Sequence, residues 1–109
     1  MIEFSVNMAN RPGQLATLAR ELGAAGVNIE TLAAVSSGPE SSVKLVVNND
    51  DAARRVLKDA GVHFEERRIV SAVLHDQPGA LAQMTEALAA TGVNIEAMYL
   101  LHASAEGLH

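Results

Sequence analysis

Ile2, Phe4, Val6 and Met8 alternate with Glu3, Ser5 and Asn7 at the head of the chain. Strict alternation of this kind marks a strand with one buried face. From Leu15 the period changes: Leu15, Leu18, Ala19 and Leu22 fall at i, i+3, i+4 and i+7, one apolar stripe on a helix. Between the two segments Pro12 has a fixed φ that suits a first helical turn, and Asn10 stands where a polar side chain can cap free amides. Gly26 sits where a helix C-terminus takes a left-handed residue, and Val27-Asn28-Ile29 leads into a second strand. "SSGPESS" then reads as a turn and "VKLVVN" as a third strand. Asp50 opens a second helix with Ala53, Val56, Leu57 and Ala60 on its buried face, Gly61 ends it, and "VHFEERRIV" is extended. The order β-α-β-β-α-β predicts an α+β, ferredoxin-like fold, an antiparallel sheet with helices on one face. In that arrangement the third strand lies between the first and the second.

The pattern then repeats. With a shift of 66 residues, Pro12 pairs with Pro78, Gly13 with Gly79, Leu15 with Leu81, Leu22 with Leu88 and Gly26 with Gly92, and Val27–Glu30 matches Val93–Glu96 throughout. Between Asn10 and Leu32, 11 of 23 positions are identical to their partners, where chance gives about one or two, so the chain is an internal duplication. Val70, Ala72 and Leu74 offer one face of a first strand in the second copy, and Leu81, Met84 and Leu88 repeat the helix stripe. Residues 1–66 form one complete module by this reading and 67–109 a second, truncated one that reaches β-α-β.

Composition removes most chemistries. With no cysteine there is no disulfide, thiolate nucleophile or Cys-ligated metal, which fits a reducing cytoplasm. A net charge of −5 argues against a nucleic-acid backbone as partner, since phosphate contacts need clustered Lys and Arg. The third strand carries no aromatic on which a base could stack, which also argues against an RNA-recognition module of the same element order. No run of about 18 apolar residues predicts a membrane span. His63, His75, His102 and His109 fall in different elements without metal-ligand spacing, and no nucleophile elbow, phosphate loop or paired carboxylate site appears. "NNDD" at 48–51 lacks the later Gly and Glu of a calcium loop and reads as a helix start. "EERR" at 65–68 reads as an exposed face bearing opposed charges. No catalytic residue, metal or cofactor is expected.

"NRPGQLATLARELGAAGVNI" and "DQPGALAQMTEALAATGVNI" each resemble the opening of an ACT domain, the small regulatory module that senses amino acids in many metabolic enzymes. The family pattern is an acidic or amide residue, Arg-Pro-Gly, a Leu-spaced helix and Gly-(Val/Ile)-Asn-Ile at the second strand. Two copies at a fixed offset, each in the right element order, make the resemblance specific. The second copy has Gln77 where the family usually has Arg.

The resemblance implies tandem ACT domains that bind a free amino acid or similar small metabolite where modules meet. The matching positions are Asn10, Arg11, Gly13, Gln14, Leu15, Asn28 and Ile29 in the first copy, and Asp76, Gly79, Ala80, Leu81, Asn94 and Ile95 in the second, with His75 beside the turn. Physical chemistry gives them work: a helix's first turn has unpaired N–H groups and partial positive charge, and glycine lets a carboxylate approach closely. The asparagines offer donors and acceptors for an amino acid's charged ends. The alternative is structural: Asn10 and Asp76 cap helices, Asn28 and Asn94 close turns, and the modules only associate, for instance as the regulatory subunit of an amino-acid biosynthetic enzyme such as acetolactate synthase. A homodimer or higher oligomer is expected, because positions matching Lys44 to Glu66 do not recur before His109. The first and second strands of the second copy, near Ile69–Leu74 and Ile95–His102, would then have open edges. A second chain could pair with them, or the natural protein could continue.

Overall fold

β1 (Ile2–Ala9) lies inside a four-stranded antiparallel sheet of order β2-β3-β1-β4, with β2 at Ile29–Ser37, β3 at Glu40–Val47 and β4 at His63–Arg68. The computed structural model describes residues 1–95, Met98, Ala103–Ser104 and Gly107–Leu108. Register follows the alternation read from the sequence. Phe4 stands opposite Leu45 and Glu66, and Val6 opposite Val43 and Phe64. This brings Phe4, Val6, Val43 and Leu45 onto one face, where all four are buried in a cluster with Leu18 and Leu22 of α1 (Gln14–Ala24) and Ala53 and Leu57 of α2 (Asp50–Asp59). Removing each large apolar side chain from water contributes about 1.5–3 kcal/mol, and this cluster is the main favourable term for the unit.

The helix ends have local causes. Val27 N–H donates to Leu22 O at 2.9 Å and Gly26 N–H to Gly23 O at 3.0 Å, with Gly26 at φ 75°, a Schellman closure. It brings Val27 onto Leu22, and both are buried. Asn49 caps α2, its side chain accepting from Ala52 N–H at 3.1 Å, and Asp50 and Asp51 complement the helix dipole in the first turn. "NNDD" is therefore a helix start, as read.

Several expectations are corrected. Asn10 caps nothing: the N-cap of α1 is Gly13, with no side-chain cap, and Pro12 lies outside the helix in the preceding turn. Ala19 and Ala60 are exposed. Ala19 sits about 100° round the helix from Leu18, and Ala60 is the C-cap of α2; Ala52 is buried instead. The β2–β3 turn is Gly38-Pro39 alone, with Ser37 opposite Glu40, rather than all of "SSGPESS". Gly38 at φ 60° supplies the left-handed first corner that a two-residue hairpin needs.

The chain packs as two compact units, Met1–Ile69 and Val70–His109. β4 runs to Arg68, and Ile69 N–H still donates to Met1 O. In the second unit α3 (Ala80–Ala90) forms where the duplication places it, and β5 (Ala103–Ser104) pairs with β6 (Gly107–Leu108). The first strand expected at 69–74 is absent except for a single bridge residue, Leu74, and Val70 is 93% exposed. The second strand expected at Ile95–His102 falls largely on residues outside those described. No described helix is long and apolar enough to cross a membrane.

The charged face of β4 is more specific than alternation alone suggests. Arg54 Nε and Nη2 reach the two Glu66 carboxylate oxygens at 2.8 and 2.6 Å, and Nη1 reaches Asp51 at 2.7 Å. The hydrogen bonds from Arg54 hold the Glu66 carboxyl below its ordinary value. A depressed folded-state value means that the pair's contribution is present above the unfolded-state value and is lost as pH falls through the folded one. Glu66→Gln is therefore expected to lower stability modestly at neutral pH and to shrink the gap from wild type as pH drops through the acid range. Urea midpoints measured across pH check this, and a gap that widens on acidification contradicts it.

Candidate ligand-binding site

The Pro-Gly pair of the first copy forms a turn before it forms a helix. Gln14 N–H donates to Arg11 O at 3.3 Å, and Gly13 has φ 85° and ψ −9°. These are the values of the second corner of a type II turn, which favours Pro at the first corner and Gly at the second. Gly13 O then accepts Thr17 N–H at 2.9 Å and starts α1. The second copy repeats this closely: Ala80 N–H donates to Gln77 O at 3.3 Å, Gly79 has φ 87° and ψ −9°, and Gln83 N–H donates to Gly79 O at 3.0 Å. In neither copy does a side chain cap the first-turn amides, so the helix N-terminus keeps its partial positive charge facing outward.

Around the first turn the fold builds a pocket of about 190 Å³. Its floor is the helix-side face of the sheet: Met8, Ser41 and Ser36 in one cross-strand row, and Val43 and Ala34 in the next. Asn10, Arg11, Gln14 and Leu15 form the wall. Arg11 carries the one charged side chain in this lining, and its guanidinium makes no hydrogen bond or ion pair among the described residues. The pocket is smaller than the ~300–1,000 Å³ usual for drug-sized ligands and suits a compact anion with a short apolar or hydroxylated body. A second hollow of about 360 Å³, by Asn7, Met8, Ala9, Pro39 and Glu40, is wider but more open. It lacks a cation and a helix terminus, so the smaller pocket is the better candidate.

Asn10 locks the turn to the β2–β3 hairpin. Its backbone N–H donates to Pro39 O at 2.8 Å and its side-chain Nδ2 to Gly38 O at 3.0 Å. Its Oδ1 accepts from Ser36 Oγ at 3.4 Å, and Ser36 Oγ lies 3.1 Å from Ser41 Oγ.

The fold gathers only some of the residues picked out by sequence. Asn10, Arg11, Gln14 and Leu15 line the pocket and Gly13 shapes its rim. Asn28 and Ile29 do not join them, because α1 spans 11 residues, about 16 Å at 1.5 Å per residue, and they follow its far end. There Asn28 N–H donates to Asn48 Oδ1 at 2.8 Å, and Asn48 N–H to Asn28 O at 3.1 Å, so its backbone fastens β2 to the end of β3. In the second unit His75, Asp76 and Gly79 are exposed at the turn, and Ala80 is buried. Leu81 is half-exposed, and Asn94 and Ile95 follow α3 as Asn28 and Ile29 follow α1. Met8, Ala34, Ser36, Ser41 and Val43 were not anticipated. A two-residue turn at Gly38-Pro39 would have revealed the serines, since it makes Ser36 and Ser41 cross-strand partners.

Sheet order, paired helices and the two Pro-Gly turns define one ferredoxin-like βαββαβ module followed by a second copy of its turn and helix. A family model described as an ACT domain pair matches residues 1–109, and the chain belongs to that family. It is an ACT regulatory module. Among solved structures it is similar to protein BT0572 from Bacteroides thetaiotaomicron, with 27% identity and TM-score 0.85 over 93% of this chain and 70% of that one. It also resembles the ligand-free regulatory subunit of aspartate kinase from Thermus thermophilus, at 22% identity and TM-score 0.64 over 98% and 78% of the two chains. A putative glycine cleavage system transcriptional repressor shares the fold at 12% identity and TM-score 0.55, over 98% and 74%. No curated protein matches the chain.

Proposed function

We propose that the chain is a non-catalytic regulatory protein that binds a free amino acid or similar small metabolite at an interface between ACT modules. The observation that carries this is the pocket of about 190 Å³ beside the Arg11-Pro12-Gly13 turn. A guanidinium with no ion-pair partner among the described residues and an uncapped helix N-terminus converge there on a space of small-molecule size, which suits a carboxylate. Asn28 and Asn94 lie remote from the turn of their own module, and in this reading they complete such a site when modules associate. Ligand that favours one arrangement of modules would shift populations that a metabolic enzyme or a second copy senses. The half-exposed Leu81, Val93, Ile95 and Met98 support association into a homodimer or larger assembly.

A thermal-shift screen of the twenty amino acids tests the binding reading. An amino acid at about 100 times its dissociation constant stabilises the fold by about 2.7 kcal/mol, a rise in melting temperature on the order of 10 °C for a chain of this size. No shift from any of them at millimolar concentration leaves assembly alone as the role, such as a regulatory subunit with no ligand of its own. Sedimentation equilibrium checks the oligomer, and a monomer throughout the micromolar range refutes it.

A further inference from the structure

The hydrogen bonds around Asn10 have a fixed direction. Gly38 O can only accept, so the Asn10 amide must present Nδ2 to it and Oδ1 to Ser36. Oδ1 has no proton to give, and Ser36 is therefore the donor in that contact. A hydroxyl has one proton. In the 3.1 Å contact between the two serines, Ser41 must then donate to Ser36. The chain runs from Ser41 to Ser36 to Asn10 to Gly38 O, and each link polarises the next.

With its proton committed, Ser41 Oγ is left with a lone pair. Ser41 is half-buried and lines the pocket, whose other walls there are Met8, Leu15, Ala34 and Val43. The pocket thus has a donor end, Arg11 with the first-turn amides of α1, and an acceptor on its floor at Ser41. We infer that Ser41 determines specificity by accepting a hydrogen bond from the ammonium of an α-amino acid whose carboxylate lies toward Arg11. Asn10 and Ser36 are positioning residues that hold the Ser41 proton away from the ligand. This rests on the amino-acid reading above and deepens it: a 2-oxo acid of the same skeleton presents acceptors where the ammonium presents donors, and it meets the Ser41 lone pair unfavourably.

The test compares ligand pairs on the full chain by calorimetric titration. Each of the twenty L-amino acids that shifts the melting temperature is titrated beside the 2-oxo acid of the same carbon skeleton. Wild-type protein is expected to favour the amino acid by at least about 10-fold, the scale of one hydrogen bond to a charged group. Ser41→Ala is expected to abolish that preference by weakening the amino acid alone, and Ser41→Thr to restore it. Ser36→Ala frees the Ser41 proton to turn into the pocket and should likewise erode the preference, an effect that loss of packing would not produce. Equal affinity of the two acids for wild type, or a preference unchanged in Ser41→Ala, overturns the inference while leaving amino-acid binding intact. Absence of any binding amino acid overturns both.

Discussion

Phe4→Ala is expected to leave the first unit largely unfolded at room temperature. The side chain is fully buried on the central strand, its ring 6.1 Å from that of Phe64 and 6.0 Å from the Arg54 guanidinium carbon. Truncating a buried Phe to Ala costs about 3–5 kcal/mol, part lost transfer energy and part cavity. A unit of 69 residues has only about 3–10 kcal/mol of stability in hand. The loss is therefore comparable with the total. Far-ultraviolet circular dichroism with urea titration measures it, and Phe4→Leu, which keeps most of the volume, should cost no more than about 1.5 kcal/mol. If Phe4→Ala melts within a few degrees of wild type, the core does not centre on β1.

Gly13→Val is expected to abolish amino-acid binding while the sheet and helices persist. A Cβ built on Gly13 meets nothing within 4 Å, so the cost is torsional rather than steric. At φ 85° an L-residue carries about 1–2 kcal/mol of strain, and a β-branched one is stiffer still. The turn can relieve this by flipping the peptide between residues 12 and 13, which converts it toward type I and turns the residue 13 N–H away from its present direction. The rim of the pocket is then rebuilt and the valine stands in the ligand's approach. Gly79→Val imposes the same torsional strain on the second turn, but Gln77 and Asp76 offer a carboxylate no cation there, so its effect on affinity should be smaller. Calorimetric titration alongside circular dichroism separates binding from folding. Wild-type affinity in a well-folded Gly13→Val protein would place the ligand elsewhere.

Much of this was legible from residue order, because the signals were local. Alternation in Ile2–Met8, the Leu15-Leu18-Leu22 spacing and the repeated Gly-Val-Asn-Ile each specify backbone over a few residues, and α3 gave the helix spacing a second example. The pocket was only half legible. Asn10, Arg11, Gln14 and Leu15 lie together on one turn and could be picked out, but Ser36 and Ser41 reach the site through the register of a hairpin. Reading "SSGPESS" as loop composition concealed a two-residue turn that makes those serines face each other. Asn10 illustrates the opposite error. Its type and place suit an N-cap, yet the hairpin carbonyls compete for the same amide and win. Alternation at Val70, Ala72 and Leu74 read as a strand, yet only Leu74 forms a bridge.

The sheet order also constrains how the chain can be made. β1 is synthesised before the other strands of its sheet, yet it is an interior strand whose two neighbours come much later, with Ile2 paired to Arg68. At about 5–20 residues per second, the 65 residues between Ile2 and Arg68 take roughly 3–13 s to synthesise. Throughout that interval an alternating apolar strand stands with at least one edge open. Early folding must therefore begin in the β2–β3 hairpin and its tight Gly38-Pro39 turn, whose closure needs little chain. The central strand is captured on one side by β3, and only the arrival of β4 closes the other.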